Sequence, residues 1–171
     1  MIDVLIDKLT NSVEEVATGR SFDTQITVAK SRDIRSLDQS WRFDWRLELK
    51  QREVFKLTIP EFGPAVQGLI SLSREEGFIQ VILIESHPEN VGQTKKFAGV
   101  AGNLMAYAAK LSIEIGNEGY VAFDAKTELF AHYARTLGAR RIGNSQRMVI
   151  HPATSAKLVE RYFGEDHEPD A

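Results

Sequence analysis

Lys95-Lys96-Phe97-Ala98-Gly99-Val100-Ala101-Gly102-Asn103-Leu104-Met105 is the stretch whose residue types and spacing most directly suggest chemistry. Two lysines precede a run of small residues that opens a helical pattern. A helix start carries N–H groups without intrahelical acceptors and the positive end of the macrodipole, so it suits a phosphate-bearing ligand. Glycine and alanine would let such a ligand approach the backbone closely. The alternative is a tight turn whose glycines serve helix packing and whose lysines, Lys95 and Lys96, are solvated.

Other chemistries fit less well. A Walker loop needs Gly-Lys-Ser/Thr, whereas Lys126-Thr127 follows Ala125. A dinucleotide fold needs its glycines in a repeated parallel unit, and here apparent antiparallel strands come first. His87, His132, His151 and His167 lack metal-ligand spacing, so no metal is expected. The chain has no cysteine, which excludes disulfides, thiolate metal sites and a cysteine nucleophile. A net charge of −3 leaves nucleic acid unindicated as a general partner. Acids interrupt Met1-Ile2-Asp3-Val4-Leu5-Ile6-Asp7, unlike a signal peptide, and no run reaches membrane-spanning length. A cytoplasmic location and no membrane partner are the expectation.

The elements that must position the loop follow from periodicity. Ile2, Leu5, Ile6, Leu9, Val13 and Val16 fall at helical spacing up to Gly19, and Phe22, Ile26 and Val28 read as a strand. A helix is predicted over 31–51, carrying Trp41 and Trp45. Strands are then predicted from residue 53, over Val66–Leu72 and over Phe78–Ser86, forming an antiparallel meander. The Ile79–Ile84 run is apolar at nearly every position, as in a strand buried on both faces. Gly99–Ile115 reads as a helix ended by Gly116, followed by a strand near Tyr120. A second helix has Thr127 as N-cap and Gly138 as terminator, then come a hairpin around Gly143-Asn144 and a last helix after Pro152. The expectation is one domain over residues 1–163, with 1–52 the hardest part to read, and a flexible acidic tail over 164–171.

This order of elements resembles the GNAT superfamily of acyl-CoA-dependent N-acetyltransferases over roughly residues 53–151. The family loop reads Gln/Arg-x-x-Gly-x-Gly/Ala; Lys96-Phe97-Ala98-Gly99-Val100-Ala101 keeps its spacing, with lysine at the first position. The resemblance implies an α/β fold of the α+β type, with a mixed, mostly antiparallel central sheet flanked by helices. It also implies acetyl-CoA as cosubstrate. Its pyrophosphate would lie at Lys95, Lys96, Phe97, Ala98, Gly99, Val100, Ala101, Gly102 and Asn103, and its pantetheine arm along the strand near Leu83, Ile84 and Glu85.

Within that resemblance the acetyl group passes by direct attack to an amine on a small molecule, a protein or an aminoacyl-RNA. Glu85, at the end of the buried strand, is the candidate base, or else a hydrogen-bonded strand-end residue. Tyr133 is the candidate acid, or else a core residue. The family tyrosine stands four residues before the glycine of a Gly-Phe pair, whereas Tyr133 stands five before Gly138 and Ala139 follows. Tyr133 is therefore expected about one helical step, roughly 100°, away from the coenzyme. The alternative function is an inactive acyl-CoA-binding or protein-interaction module, and a homodimer is left open.

Overall fold

The computed structural model describes residues 1–164. The acidic tail read over 164–171 lies outside the described residues from Glu165 onward. Among the described residues, ten strands and five α-helices follow in chain order: β1 (Val13–Glu15), β2 (Ser21–Phe22), β3 (Gln25–Val28), α1 (Ser31–Arg35), α2 (Trp45–Gln51), β4 (Glu53–Thr58), β5 (Gly68–Glu75) and β6 (Phe78–Ser86). The second half comprises β7 (Phe97–Ala98), α3 (Val100–Glu114), β8 (Val121–Asp124), α4 (Phe130–Leu137), β9 (Arg140–Arg141), β10 (Arg147–Ile150) and α5 (Pro152–Phe163).

Seven strands form one sheet in the order β3-β4-β5-β6-β8-β10-β9, and β2-β1-β7 form a second, small sheet. Every pairing in the large sheet is antiparallel except β6 with β8. This is the mixed, mostly antiparallel sheet that the resemblance implied, and β4–β5–β6 form the expected meander. Alternation along the strands divides two apolar layers. Phe55, Leu57, Ile70 and Leu72 face the main core with Leu104 and Ala108 of α3 and Leu158 of α5. Val54 and Leu69 face the opposite side, beneath Trp41 and Trp45. Gly68 permits the close approach of α3, because a Cβ there would collide with the side chains of Val100 and Leu104, the latter at 2.9 Å.

Three expectations are corrected. The first sixteen residues contain no helix. Ile2, Ile6 and Val13 are buried, but Leu5 is 61% exposed and Leu9 and Val16 are exposed too, so no helical stripe faces the core. The predicted helix over 31–51 is two short helices. Between them the Asp38 carboxylate takes the Ser40 N–H at 2.8 Å, a local bond that competes with helix continuation. Thr127 does not cap α4: it opens a 3₁₀ turn over Thr127–Leu129, and its hydroxyl instead meets the Gln146 side-chain amide at 2.9 Å. The left-handed Gly138 does end α4, as expected, and the hairpin and last helix stand where they were read.

Candidate active site

The site begins with an irregularity in β6. Ser71 faces Leu83 while Leu72 faces Val81, which makes Ile82 an extra residue. Such a bulge bends its strand. β6 accordingly pairs with β8 only from Ile79–Val121 to Val81–Phe123, and beyond Val81 the two strands part.

The start of the chain lies in this gap. The Ala125 N–H faces β10, donating to Gln146 O at 2.9 Å. Because successive residues of a strand alternate in direction, Asp124 O and Lys126 N–H face the other way, toward β6. Ile2 uses both: its N–H donates to Asp124 O at 2.6 Å, and its carbonyl accepts from Lys126 N at 3.1 Å. The segment continues extended across α4, where the Tyr133 hydroxyl donates to Val4 O at 2.5 Å and the Ile6 N–H donates to His132 Nε2 at 2.9 Å. Ile2 and Ile6, at 2% and 5% exposure, anchor it in the core. Ile2, Val4 and Ile6 thus share one face, and Asp3, Leu5 and Asp7 line the other.

Beside that second face is a cavity of about 850 Å³. Ile84, Glu85 and Ser86 of β6 bound it opposite the N-terminal segment, with Arg42 and Phe43 above and Lys95 and Val100 at the α3 end. Glu85 is 8% exposed and caps the 42–45 segment. Its Oε2 accepts from Arg42 N at 2.6 Å, and its Oε1 accepts from Phe43 N at 3.2 Å and from the Trp45 indole N–H at 2.8 Å. A carboxylate has about four acceptor directions, so one remains. Leu83 turns toward the tryptophan layer, and its N–H donates to the Ser71 hydroxyl at 3.1 Å.

The small-residue loop has close neighbours from its own chain. The Gly99 N–H donates to Asp7 Oδ1 at 2.9 Å, and Lys95 Nζ meets Asp7 Oδ2 at 3.0 Å. Gly99 has φ 107°, a left-handed conformation, and a Cβ there would lie 3.0 Å from Ser12 O. A Cβ on Gly102 would strike the Tyr162 hydroxyl and come within 2.9 Å of Lys8 O. Lys96 turns away from the cavity, its ammonium 5.4 and 5.5 Å from the ring centres of Phe62 and Phe97. Phe97 and Ala101 are core residues, and Ala98 pairs with Glu14 of β1. Asn103 donates through Nδ2 to Gly99 O at 2.7 Å and Ser12 O at 3.0 Å, while its buried Oδ1 has no partner.

The Tyr133 ring packs edge-on against Phe123 of β8, and its hydroxyl donates to Val4 O. Burial, with Asp3 adding to it, raises its phenol well above the usual range. Asp3 accepts from Arg42 at 2.6 Å and Lys126 at 3.0 Å; burial pushes its carboxyl up, but those two cations outweigh it and hold it below the ordinary value. Burial lowers the His132 pKa, with Arg135 contributing, which agrees with a neutral ring accepting the Ile6 N–H. Asp3, Asp7, Arg42 and His132 had no place in the sequence reading of the site. The alternation of Ile2, Val4 and Ile6 with Asp3, Leu5 and Asp7 was the signal that could have found the segment. Among the described residues, no cluster of three or more metal-ligating side chains occurs.

No family model and no curated protein matches this sequence. Solved structures do match its fold. AtaTR bound with acetyl-CoA superposes with TM-score 0.53 at 15% identity, covering 80% of this chain and 98% of the other. The KacTA–DNA complex gives TM-score 0.52 at 17% identity, over 80% and 98%. A bacterial toxin gives TM-score 0.59 at 10% identity, over 88% and 99%. The chain has a GNAT-like fold. In GNAT terms β6 is the strand before the loop, α3 is the helix that the loop opens, and the parted β6 and β8 frame the gap that the N-terminal segment enters. No described helix is long and apolar enough to cross a membrane.

Proposed function

We propose that this protein is an acyl-CoA-dependent N-acetyltransferase that binds acetyl-CoA in the cavity between β6 and its own N-terminal segment. The observation that carries this reading is the continuity of that cavity from the unpaired edge of β6, at Ile84–Ser86, to Lys95 and the start of α3. An extended amide-bearing arm can pair with an open strand edge, as Ile2 does on β8, and an anionic end suits the helix start. AtaTR, of the same fold, is known with acetyl-CoA bound, which supports the choice of ligand.

The thioester then lies near Glu85. A neutral amine attacks its carbonyl carbon, the carbon–sulfur bond breaks, and the amine's proton passes to Glu85 through its remaining acceptor direction or a water. The departing thiolate takes a proton from solvent in the open cavity. Tyr133 is assigned to holding Val4, because its hydroxyl is donated to that carbonyl and burial keeps its proton in place. The acceptor enters at the rim formed by the exposed Leu5 and Val91.

A second reading, an acyl-CoA-binding or partner-binding module without transfer, is favoured by one observation. Each of Asp3, Asp7 and Glu85 already holds donors of the protein itself. Calorimetric titration with acetyl-CoA and desulfo-CoA, followed by thiol release over a panel of amines and aminoacyl-RNA, separates the two. Binding with release is expected. Binding without release selects the acyl-CoA-binding module, and absence of binding overturns both acyl-CoA readings.

A further inference from the structure

The N-terminal segment has a shape that the proposed ligand would share. Residues 2–7 run for roughly 17 Å, pair at Ile2 through the backbone with a strand edge, and end in an anion at the α3 start. An acyl-CoA presents a similar order: an amide-bearing arm and then a pyrophosphate. Asp7 Oδ1 accepts the Gly99 N–H and Oδ2 meets Lys95, which are the donor and cation an incoming phosphate would take.

We infer that the Asp7 carboxylate is a built-in competitor for the anionic end of acyl-CoA, holding Gly99 and Lys95 until the ligand displaces it. This rests on the acyl-CoA reading above. The displacement is confined to Asp7. Ile2 and Ile6 are buried, and the segment is bonded at Asp124, Lys126, His132 and Tyr133, so the strand itself stays in place. Asp7 stands beyond those anchors, its side chain 16% exposed and bordering the cavity. A rotation of that side chain frees the N–H and the ammonium together. A pyrophosphate brings more negative charge to the same two groups than one carboxylate does, which favours the exchange.

The contact lowers apparent affinity by the fraction of molecules in which it is open. Closed in roughly nine molecules of ten, it weakens acyl-CoA binding about tenfold. The test is calorimetric titration of wild type, Asp7→Ala and Asp7→Asn with CoA, alongside thermal unfolding of each. Asp7→Ala frees both groups; Asp7→Asn keeps an acceptor for Gly99 and removes only the charge, so one variant remains informative if the other folds poorly. The expected result is CoA binding about tenfold tighter in Asp7→Ala and an intermediate gain in Asp7→Asn, even as their unfolding temperatures fall. Wild type binding CoA with unchanged or weaker affinity in both variants would overturn the competitor and leave Asp7 a helix-start anchor. Failure of all three proteins to bind CoA would instead overturn the acyl-CoA reading and the inference with it.

Discussion

Replacing Glu85 by glutamine tests whether this carboxylate shapes the site as well as facing it. Three N–H groups converge on it, from Arg42, Phe43 and the buried Trp45 indole. Glutamine can place its oxygen at the Oε1 position and keep two of them. Its NH₂ then faces the Arg42 N–H, so one hydrogen bond to a charged acceptor, about 1.5–3 kcal/mol, is lost and two others weaken. The expected destabilisation is about 2–3 kcal/mol, a drop in unfolding midpoint of roughly 4–12 °C for a chain of this size. Urea denaturation followed by tryptophan fluorescence reads it directly, because Trp45 is itself a partner. Trp45→Phe removes the indole donor, and the double variant measures the coupling. Coupling of at least about 1 kcal/mol is expected. Glu85→Gln within about 0.5 kcal/mol of wild type, or strict additivity with Trp45→Phe, would refute the assignment. Any loss of turnover in Glu85→Gln would then belong to proton transfer rather than to a collapsed 42–45 segment.

Tyr133→Phe leaves the Val4 carbonyl without its donor and should cost about 1–3 kcal/mol; amide hydrogen exchange at Ile2 and Lys126 should accelerate, and unchanged exchange would remove the bond from the account. Burial, with Arg135 contributing, holds the His132 pKa below the ordinary imidazole value, so the unfolded chain binds the proton first as pH falls. Its contribution is complete above about pH 6.5 and is lost as pH falls through the folded value. Denaturation at pH 7.5 and 5.5 should show that loss, and His132→Gln should flatten it. Gly102→Ala drives a methyl against the Tyr162 hydroxyl and Lys8 carbonyl and should destabilise by about 1–3 kcal/mol in calorimetry.

The central sheet and its helices were legible because their signals are local. Ile79–Ile84 is apolar at every position except Gln80; Gly116 and Gly138 sit where left-handed residues end helices, and Pro152 opens α5. The start of the chain misled because Ile2 and Ile6 satisfy a period of four as well as a period of two. Only contacts with Asp124, His132 and Tyr133 choose between them, and those partners lie far along the sequence. Glu85 and Lys95 could be placed near a cavity from the resemblance, but their partners could not. Asp7 is an unremarkable surface acid until the fold brings Gly99 beside it. Spacing likewise indicated small residues at Gly99 and Gly102 without saying that Ser12, Lys8 and Tyr162 are what approaches them.

The N-terminal segment also sets an order of events during synthesis. The acceptor of the Ile6 N–H, His132, is made 126 residues after it. At about 5–20 residues per second, that is a wait of roughly 6–25 s. The antiparallel meander β4–β5–β6 can assemble from neighbouring sequence in that interval, whereas β8 has not yet been made. Ile2 and Ile6 therefore cannot meet their final partners until the second half of the sheet arrives. Residues 2–6 are made well before the partners that bury them, and they complete the groove between the two halves of the sheet.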